Sequence, residues 1–325
     1  MTTPAPSESR NALLAGLGCF IAWGFLPLLF QAVGRAGADP VEIIAHRIVW
    51  GLPIAGLLVL FAHQGRQVAT VLRDPKIMVW LGLSTVLILV NWTAYVGAVN
   101  HHQTLDASLG YYLNPLLNMA AGAWLFRERI SRFGMVAIGL AGVGVVLQGV
   151  ALGHLPWVAL ILAFSFCGYG VIRKRVAVDA QSGLFLECLI LGPIGLAWVM
   201  WITAQGSGHF GVSTPATLWL LAAGPITVIP MVLFAWAARR MPLSTMGFLQ
   251  FIAPSIVFVF GVLQGEPFGW LRGISFGFIW AGAAVYALGA WRARRPSSEG
   301  DAAPAGPIAP EPGLLDDPAE DRAAR

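Results

Sequence analysis

Two stretches decide the fold: WTAYVGAVNHHQTLDASLGYYLNP at residues 92–115, and MVLFAWAARRMPLSTMGFLQFIAP at residues 231–254. Each joins two apolar runs through a short polar turn, and each ends in Pro. Ala98 lies 17 residues before Pro115, and Ala237 lies 17 before Pro254. Glu128 follows the first Pro by 13 residues and Glu266 follows the second by 12. A Gly-rich apolar run comes after each Glu. This spacing predicts one helical unit used twice.

The composition around these stretches sets the class. Of 325 residues, 57% are hydrophobic and 11% are charged, and the mean hydropathy is +0.72. A soluble domain carries about 25% charged residues, so this chain could not cover a soluble surface. The same apolar content excludes disorder for most of the chain. The 38 Gly show no period of three, which excludes a collagen-like chain. A polytopic membrane protein remains. Cys19, Cys167 and Cys188 lie in apolar runs and read as small buried hydrophobes.

A membrane helix needs about 20 mostly apolar residues. Ten runs qualify, at roughly 12–33, 41–62, 77–99, 105–126, 132–150, 155–172, 183–204, 217–237, 243–264 and 270–291. The first is long and lacks a clear small-x-small exit, so it reads as a retained span. The predicted fold class is an all-α polytopic membrane protein with ten transmembrane helices. Residues 12–150 form one five-helix repeat and 151–292 the other. Five is odd, so the second repeat sits upside down relative to the first. Residues 1–11 form a short N-terminus.

Basic residues set the expected orientation. Fifteen fall on one side of the alternation: Arg10; Arg66, Arg73 and Lys76; Arg127, Arg129 and Arg132; Arg173, Lys174 and Arg175; Arg239 and Arg240; Arg292, Arg294 and Arg295. The other side receives Arg35, with Arg272 at a helix edge. The positive-inside rule then places both termini in the cytoplasm. Residues 293–325 read as a disordered cytoplasmic tail, since the stretch from Pro296 holds seven acids and six Pro. The bases sit in short clusters between apolar runs, a pattern for a lipid bilayer rather than nucleic acid.

Inverted repeats offer two related conformations open to opposite sides, with the substrate between them near helices broken at matching positions. Pro115 and Pro254 are such a pair; ordinary kinks are the alternative. Several motifs bear on the family: WGFLPLLF at 23–30, EIIAHRIVW at 42–50, NWTAYVGAVN at 91–100, ASLGYYLNPLL at 107–117, LPWVALILAFSFCGYGVIRK at 155–174 and PLSTMGFLQFIAPSIVFVFGVLQGE at 242–266. Together they resemble the ten-helix EamA branch of the drug/metabolite transporter superfamily, and within it the RarD-like proteins. The resemblance covers about residues 11–292. It implies a permease of the inner (plasma) membrane acting on a small molecule, and it supplies no substrate and no cofactor.

Polar residues within the spans are informative, because a polar group in hydrocarbon needs a partner or a wet cavity. Arg47 lies about seven residues into the second span, roughly 10 Å deep. It reads as positive charge for a polar or anionic substrate, or as a structural pair with Glu42 or a backbone carbonyl. Asn91, Tyr95, Tyr111, Tyr112 and Asn114 lie at a similar depth. They could hydrogen-bond and stack on a small solute, or serve as interhelical glue. Tyr112 points elsewhere on its helix from Tyr111 and Asn114. Gln250 precedes Pro254 by four residues, as Tyr111 precedes Pro115. The expected substrate-binding set is therefore Arg47, Asn91, Tyr111, Asn114 and Gln250, with Trp23, Ser165 and Tyr169 as further walls.

Other features carry less. Glu187 reads as a snorkelling acid or a partner of Arg173 or Lys174. Asp106 reads as a helix cap or first-turn acid. GYG at 168–170 sits in a continuous helix, so it is no ion filter. His101, His102 and Asp106 make a weak metal set. Gly261/Gly265, Gly273/Gly277 and Gly139/Gly142 offer small faces for packing within the chain or for a homodimer through the fifth and tenth spans. Three rival readings are a non-transporting membrane partner protein, a membrane-embedded lipid-modifying enzyme, and a channel, against which the inverted halves and aromatic centre argue. The enzyme would need a nucleophile, acid/base pair or metal set near one interface, and the sequence displays none.

Overall fold

The computed structural model describes residues 6–127, 130–238 and 249–292, and these are helical throughout apart from short connections. The helices are α1 (Pro6–Arg35), α2 (Pro40–Phe61), α3 (Gly65–Arg73), α4 (Pro75–Asn100), α5 (Thr104–Phe126), α6 (Arg132–Leu152), α7 (Trp157–Arg175), α8 (Ala180–Ala204), α9 (Thr214–Ala238), α10 (Ile252–Leu263) and α11 (Trp270–Arg292). Seven of the described helices are long and apolar enough to cross a membrane: α1, α2, α4, α6, α8, α9 and α11. The apolar parts of α7 and α10 are shorter. α5 has 23 residues and carries Asp106, Tyr111, Asn114 and Asn118 along its length. The chain is a multi-pass membrane protein.

Local chemistry starts these helices where the sequence changes character. Asp39 caps α2, its carboxylate accepting from the backbone N–H of Val41 at 2.7 Å and of Glu42 at 2.9 Å. Asp74 caps α4 in the same way. Pro40 and Pro75 follow these caps, where a missing N–H costs nothing. Ser131 caps α6, and Gly153 ends it at φ 72°. Apolar side chains cover the outside: Trp124 is 83% exposed, Trp270 78% and Phe61 78%, each at a helix end. Large aromatic residues at that level belong to a membrane–water boundary.

Helix packing follows a pairwise rule. α1 packs on α9, and α4 packs on α7; α1 packs on α10, and α5 on α7; α2 packs on α9, and α4 on α8. α2 also packs on α8, α5 on α10 and α6 on α11, and α4 further touches α1 and α2. Exchanging α1 with α7, α2 with α8, α4 with α9, α5 with α10 and α6 with α11 maps the most extensive of these pairs onto one another, while the contacts of α4 with α1 and α2 have no such counterpart. Glycines permit the tightest crossings. A β-carbon at Gly224 would come within 2.6 Å of the Trp50 carbonyl carbon, so α9 meets the α2 backbone directly. One at Gly110 would lie 2.8 Å from the Ala159 oxygen, where α5 meets α7.

Four expectations need adjustment. The loop between the second and third spans contains a helix, α3, whose Val68 and Val71 are buried while Arg66 and Arg73 are exposed. α1 begins at Pro6, inside the segment expected to precede it. Pro115 does not break α5, which runs on through it; neighbouring helices hold a membrane helix together despite the lost N–H. Pro254 does mark a boundary, in the first turn of α10. The small faces are also used differently. Gly144 meets Ile279 and Ser275, and Gly282 meets Ala137, joining α6 to α11 within the chain, while Gly139, Gly142 and Gly277 touch nothing within 4 Å. Expectations resting on Glu128, Arg129, Arg239, Arg240, Arg294, Arg295 and the tail 293–325 lie outside the described residues.

Candidate functional site

Two sets of polar contacts gather opposite ends of the helices. At the Glu42 end, Gln31 and Gln264 exchange amide bonds at 2.9 and 2.8 Å. Glu266 accepts from the Leu105 N–H at 2.8 Å and from that of Thr104 at 2.6 Å, capping α5 from far along the chain. Arg272 donates to Asp106 at 2.6 Å. At the Gln64 end, Ser182 donates to the Gln64 side chain at 2.9 Å, and Gln64 reaches Asp179 at 3.1 Å.

Arg47 lies between these ends. It is 7% exposed, and its guanidinium carbon sits 3.9 Å from the centroid of the Trp92 ring and 5.6 Å from that of Phe30. Both rings offer their electron-rich faces to the cation. Arg47 makes no hydrogen bond or ion pair among the described residues, and its Nε is buried without a partner. The nearest candidate in sequence, Glu42, is committed elsewhere. It accepts from the His209 backbone N–H at 2.7 Å and lies 2.8 Å from the His209 ring Nδ1. His46 stacks on Phe210 at 5.0 Å and meets the Trp50 indole N–H through its Nδ1. An arginine buried among rings with unused N–H groups is suited to an incoming acceptor.

Tyr95 and Tyr111 adjoin the ring cage around that guanidinium. The two rings meet edge to face at 5.2 Å, and Tyr95 meets Phe30 at 6.1 Å. Tyr111 donates to the Asn91 carbonyl oxygen across 3.4 Å. Asn91 in turn donates to the Leu162 carbonyl at 2.9 Å and to the Ser165 hydroxyl at 3.1 Å. The structure thus brings Arg47, Tyr111, Tyr95, Asn91 and Ser165 into one network. Asn114 is 2% exposed, and its Oδ1 has no partner. It stands one helical turn beyond Tyr111 on the same face of α5. Gln250 is half-buried in the turn before α10, and no contact among the described residues joins it to Arg47. Trp23 packs with Phe20 and Phe234, at centroid distances of 5.5 and 5.7 Å. Tyr112 faces away from the network, as its position on α5 predicts. It bonds the Ser255 hydroxyl at 2.6 Å and lines a separate groove of ≈ 390 Å³ with Phe251, Phe258 and Trp280.

Sequence reasoning missed Trp92 and Phe30 as the seat of Arg47. It also missed a second relation. Asp39, Arg47 and Pro53 in the first half stand 140 residues before Asp179, Glu187 and Pro193 in the second. Arg47 and Glu187 are therefore equivalent positions on α2 and α8, which cross antiparallel. Gly192 makes room for Leu52, and Gly195 makes room for Ile48. Glu187 is 3% exposed and accepts from Ser84 at 2.9 Å and Tyr169 at 3.2 Å. Arg173 stands 3.9 Å away, the partner expected for it.

Comparison with known proteins places this arrangement. Residues 10–149 match the model of the EamA-like transporter family. An uncharacterized transporter of Pseudomonas aeruginosa is 41% identical over 293 residues, covering 90% of this chain and 98% of that protein. Protein RarD of Salmonella typhi is 39% identical over 285 residues, covering 87% of this chain and 96% of its own. The chain belongs to the EamA-like transporter family. Its similarity to RarD proteins places it among the RarD-like members. A crystal structure of a protein at 22% identity superposes with a TM-score of 0.58, covering 86% of this chain and 99% of the other, which bears on the fold alone. As an EamA-like protein, the chain is a membrane transporter.

Proposed function

We propose that this EamA-like chain is a secondary transporter that moves a small organic metabolite or drug across the bacterial inner membrane by alternating access. In this reading ten spans form two inverted five-helix halves, 12–150 and 151–292. The most extensive helix pairs, which map onto one another when the halves are exchanged, support it. The Glu42 end faces outward and the Gln64 end faces the cytoplasm with both termini, as the basic residues require. Arg47, Asn91, Tyr111 and Asn114 line the site, and Gln250 approaches it only as α10 moves. The solute is polar or anionic where it meets Arg47.

One observation carries this reading: a buried arginine whose partners among the described residues are aromatic faces. A charge in that position with no counter-ion holds stability in reserve for a ligand that supplies one. A thermal-stabilisation screen of purified protein against small organic anions identifies a solute, because a ligand that binds the folded state raises its apparent stability. Uptake of that solute into proteoliposomes then tests the site. Arg47→Ala is expected to lower uptake by at least about tenfold, the loss of one charge-assisted hydrogen bond, while the protein still inserts and folds. Undiminished uptake overturns the role of Arg47. Cysteines placed at the exposed positions Arg66 and Val212 test the orientation. The first should react only with reagent on the cytoplasmic side and the second only with reagent outside.

A further inference from the structure

We propose that Glu187 is a proton-binding site, held in a cradle that accepts both its charged and its neutral form. The position is the second-half counterpart of Arg47, and none of the residues assigned to the solute is part of it.

The cradle draws on three helices. Ser84 comes from α4, Tyr169 and Arg173 from α7, and Glu187 from α8. The decisive detail is at Ser84. Its hydroxyl oxygen lies 2.9 Å from the Leu81 carbonyl oxygen and 2.9 Å from Glu187 Oε1. A hydroxyl has one proton to give, and a backbone carbonyl can only accept. With Glu187 ionised, Ser84 must choose one acceptor and leave the other contact without a proton. With Glu187 protonated, the carboxyl donates to Ser84, Ser84 donates to Leu81, and both short contacts are bonds. The charged form has its own support in Arg173. That pair is long, at 3.9 Å, and one guanidinium nitrogen of Arg173, Nη1, is buried without a hydrogen bond. Gly183, one turn before Glu187 on α8, makes room for this guanidinium, which occupies the place a β-carbon would take.

Among the described residues, the surrounding helices carry other titratable and charged groups. α8 itself contributes the Cys188 thiol beside Glu187, and α7 contributes Tyr169 and Arg173. α4 faces Glu187 with the neutral Ser84. α2 holds Arg47 nearer its opposite end, and the Arg66 and Arg73 side chains of α3 are exposed. Arg173 is thus the cation whose hold on Glu187 a proton would release. The proton comes from water at the Gln64 end and returns there, and no covalent bond changes. Because the cradle ties α4 of one half to α7 and α8 of the other, protonation alters a contact between the halves. Its role in coupling rests on the transporter reading; its role as a proton site does not.

Infrared difference spectra of the purified full chain between about pH 8 and about pH 5 test it without any solute. Wild type should gain a protonated-carboxyl band that Glu187→Gln lacks. Ser84→Ala should keep the band and shift its frequency, because the hydroxyl no longer accepts from the carboxyl. Arg173→Gln should move the midpoint to higher pH by about one unit, tenfold in proton affinity, since the cation no longer favours the charged form. Should Glu187→Gln fail to fold, the Ser84→Ala shift decides. A wild type with no titrating band, a band that survives Glu187→Gln, or an unshifted band in Ser84→Ala overturns the proposal. A titrating Glu187 in a protein that moves no solute would leave this site standing and sink the transporter reading.

Discussion

α2 and α8 carry the same landmarks at the same spacing, a capping-position Asp, then eight residues on a buried charge, then six residues on a Pro, yet the charges are opposite. Arg47 rests on two ring faces and makes no hydrogen bond among the described residues, whereas Glu187 is held by two hydroxyls and a guanidinium. A repeated scaffold thus gives two chemically different pockets from equivalent positions. The cation is left free to meet something from outside the protein. The acid draws its partners from within the protein. The contrast follows from the neighbours: Trp92 and Phe30 can stabilise a positive charge without consuming its N–H donors, while a carboxylate beside a ring face gains nothing and must find donors.

Reversing the charge at the first pocket should break the comparison most severely. Arg47→Glu would put a carboxylate against Trp92 and Phe30 with no donor in place. An uncompensated buried charge costs about 3–5 kcal/mol. Denaturation of the detergent-solubilised variant should show that loss, or no folded protein at all. A variant within about 1 kcal/mol of wild type would mean that water already reaches the cage, since hydration alone could spare the charge.

At the second pocket the sharpest lever is a glycine. Gly183→Ala would set a methyl group where the Arg173 guanidinium lies, pushing it away from Glu187. The guanidinium is the far end of a flexible side chain, so the cost is that of its weakened hold on Glu187, about 1 kcal/mol. Gly82→Ala on α4 is the control, because nothing lies within 4 Å of a β-carbon there. It should be neutral or stabilising by up to about 1 kcal/mol, the helix-propensity gain. Equal effects from the two substitutions would show that Arg173 is not pinned.

These contrasts also mark what the sequence could disclose. Apolar runs of spanning length are a one-dimensional signal, and the described helices other than α1, α3 and α10 begin and end within a few residues of the expected spans. α3 escaped because nine residues with only Val68 and Val71 buried look like a basic loop. The partner of Glu42 escaped for a geometric reason. Residues five apart on a helix point about 140° away from each other, so Glu42 and Arg47 diverge, and Glu42 finds His209 at a sequence distance of 167. The same holds for Glu266 capping α5 across a separation of 161. Tyr111 and Tyr112 were separable because adjacent residues on a helix cannot share a face. The Arg47–Glu187 equivalence was legible as a spacing of 140 residues, but only the antiparallel crossing of α2 and α8 gives it meaning.

Trp92 offers a graded test of the first pocket. Trp92→Leu removes the nearer ring face and should lower stability by about 2 kcal/mol, the scale of a desolvated cation–π contact. Trp92→Phe should lose less, because a smaller ring keeps a face toward the cation. If both variants lost the same amount, packing volume rather than the cation would set the value of this residue.

Tyr111→Phe is the smallest of these changes and discriminates most finely. Its bond to Asn91 is long, at 3.4 Å, and Asn91 is already anchored through its amide by Leu162 and Ser165. Removing the hydroxyl leaves the ring, the edge-to-face contact with Tyr95 and both anchors in place. Stability should therefore change by less than about 1 kcal/mol, the net worth of one neutral hydrogen bond. Solute affinity need not follow. If Tyr111 turns its hydroxyl from Asn91 to the solute beside Arg47, the variant should bind several-fold more weakly while melting where wild type does. Asn91→Ala would lose both, because it frees α4 from α7. A Tyr111→Phe variant with lowered stability and unchanged affinity would make this network a brace between helices and leave Arg47 as the single polar contact of the site.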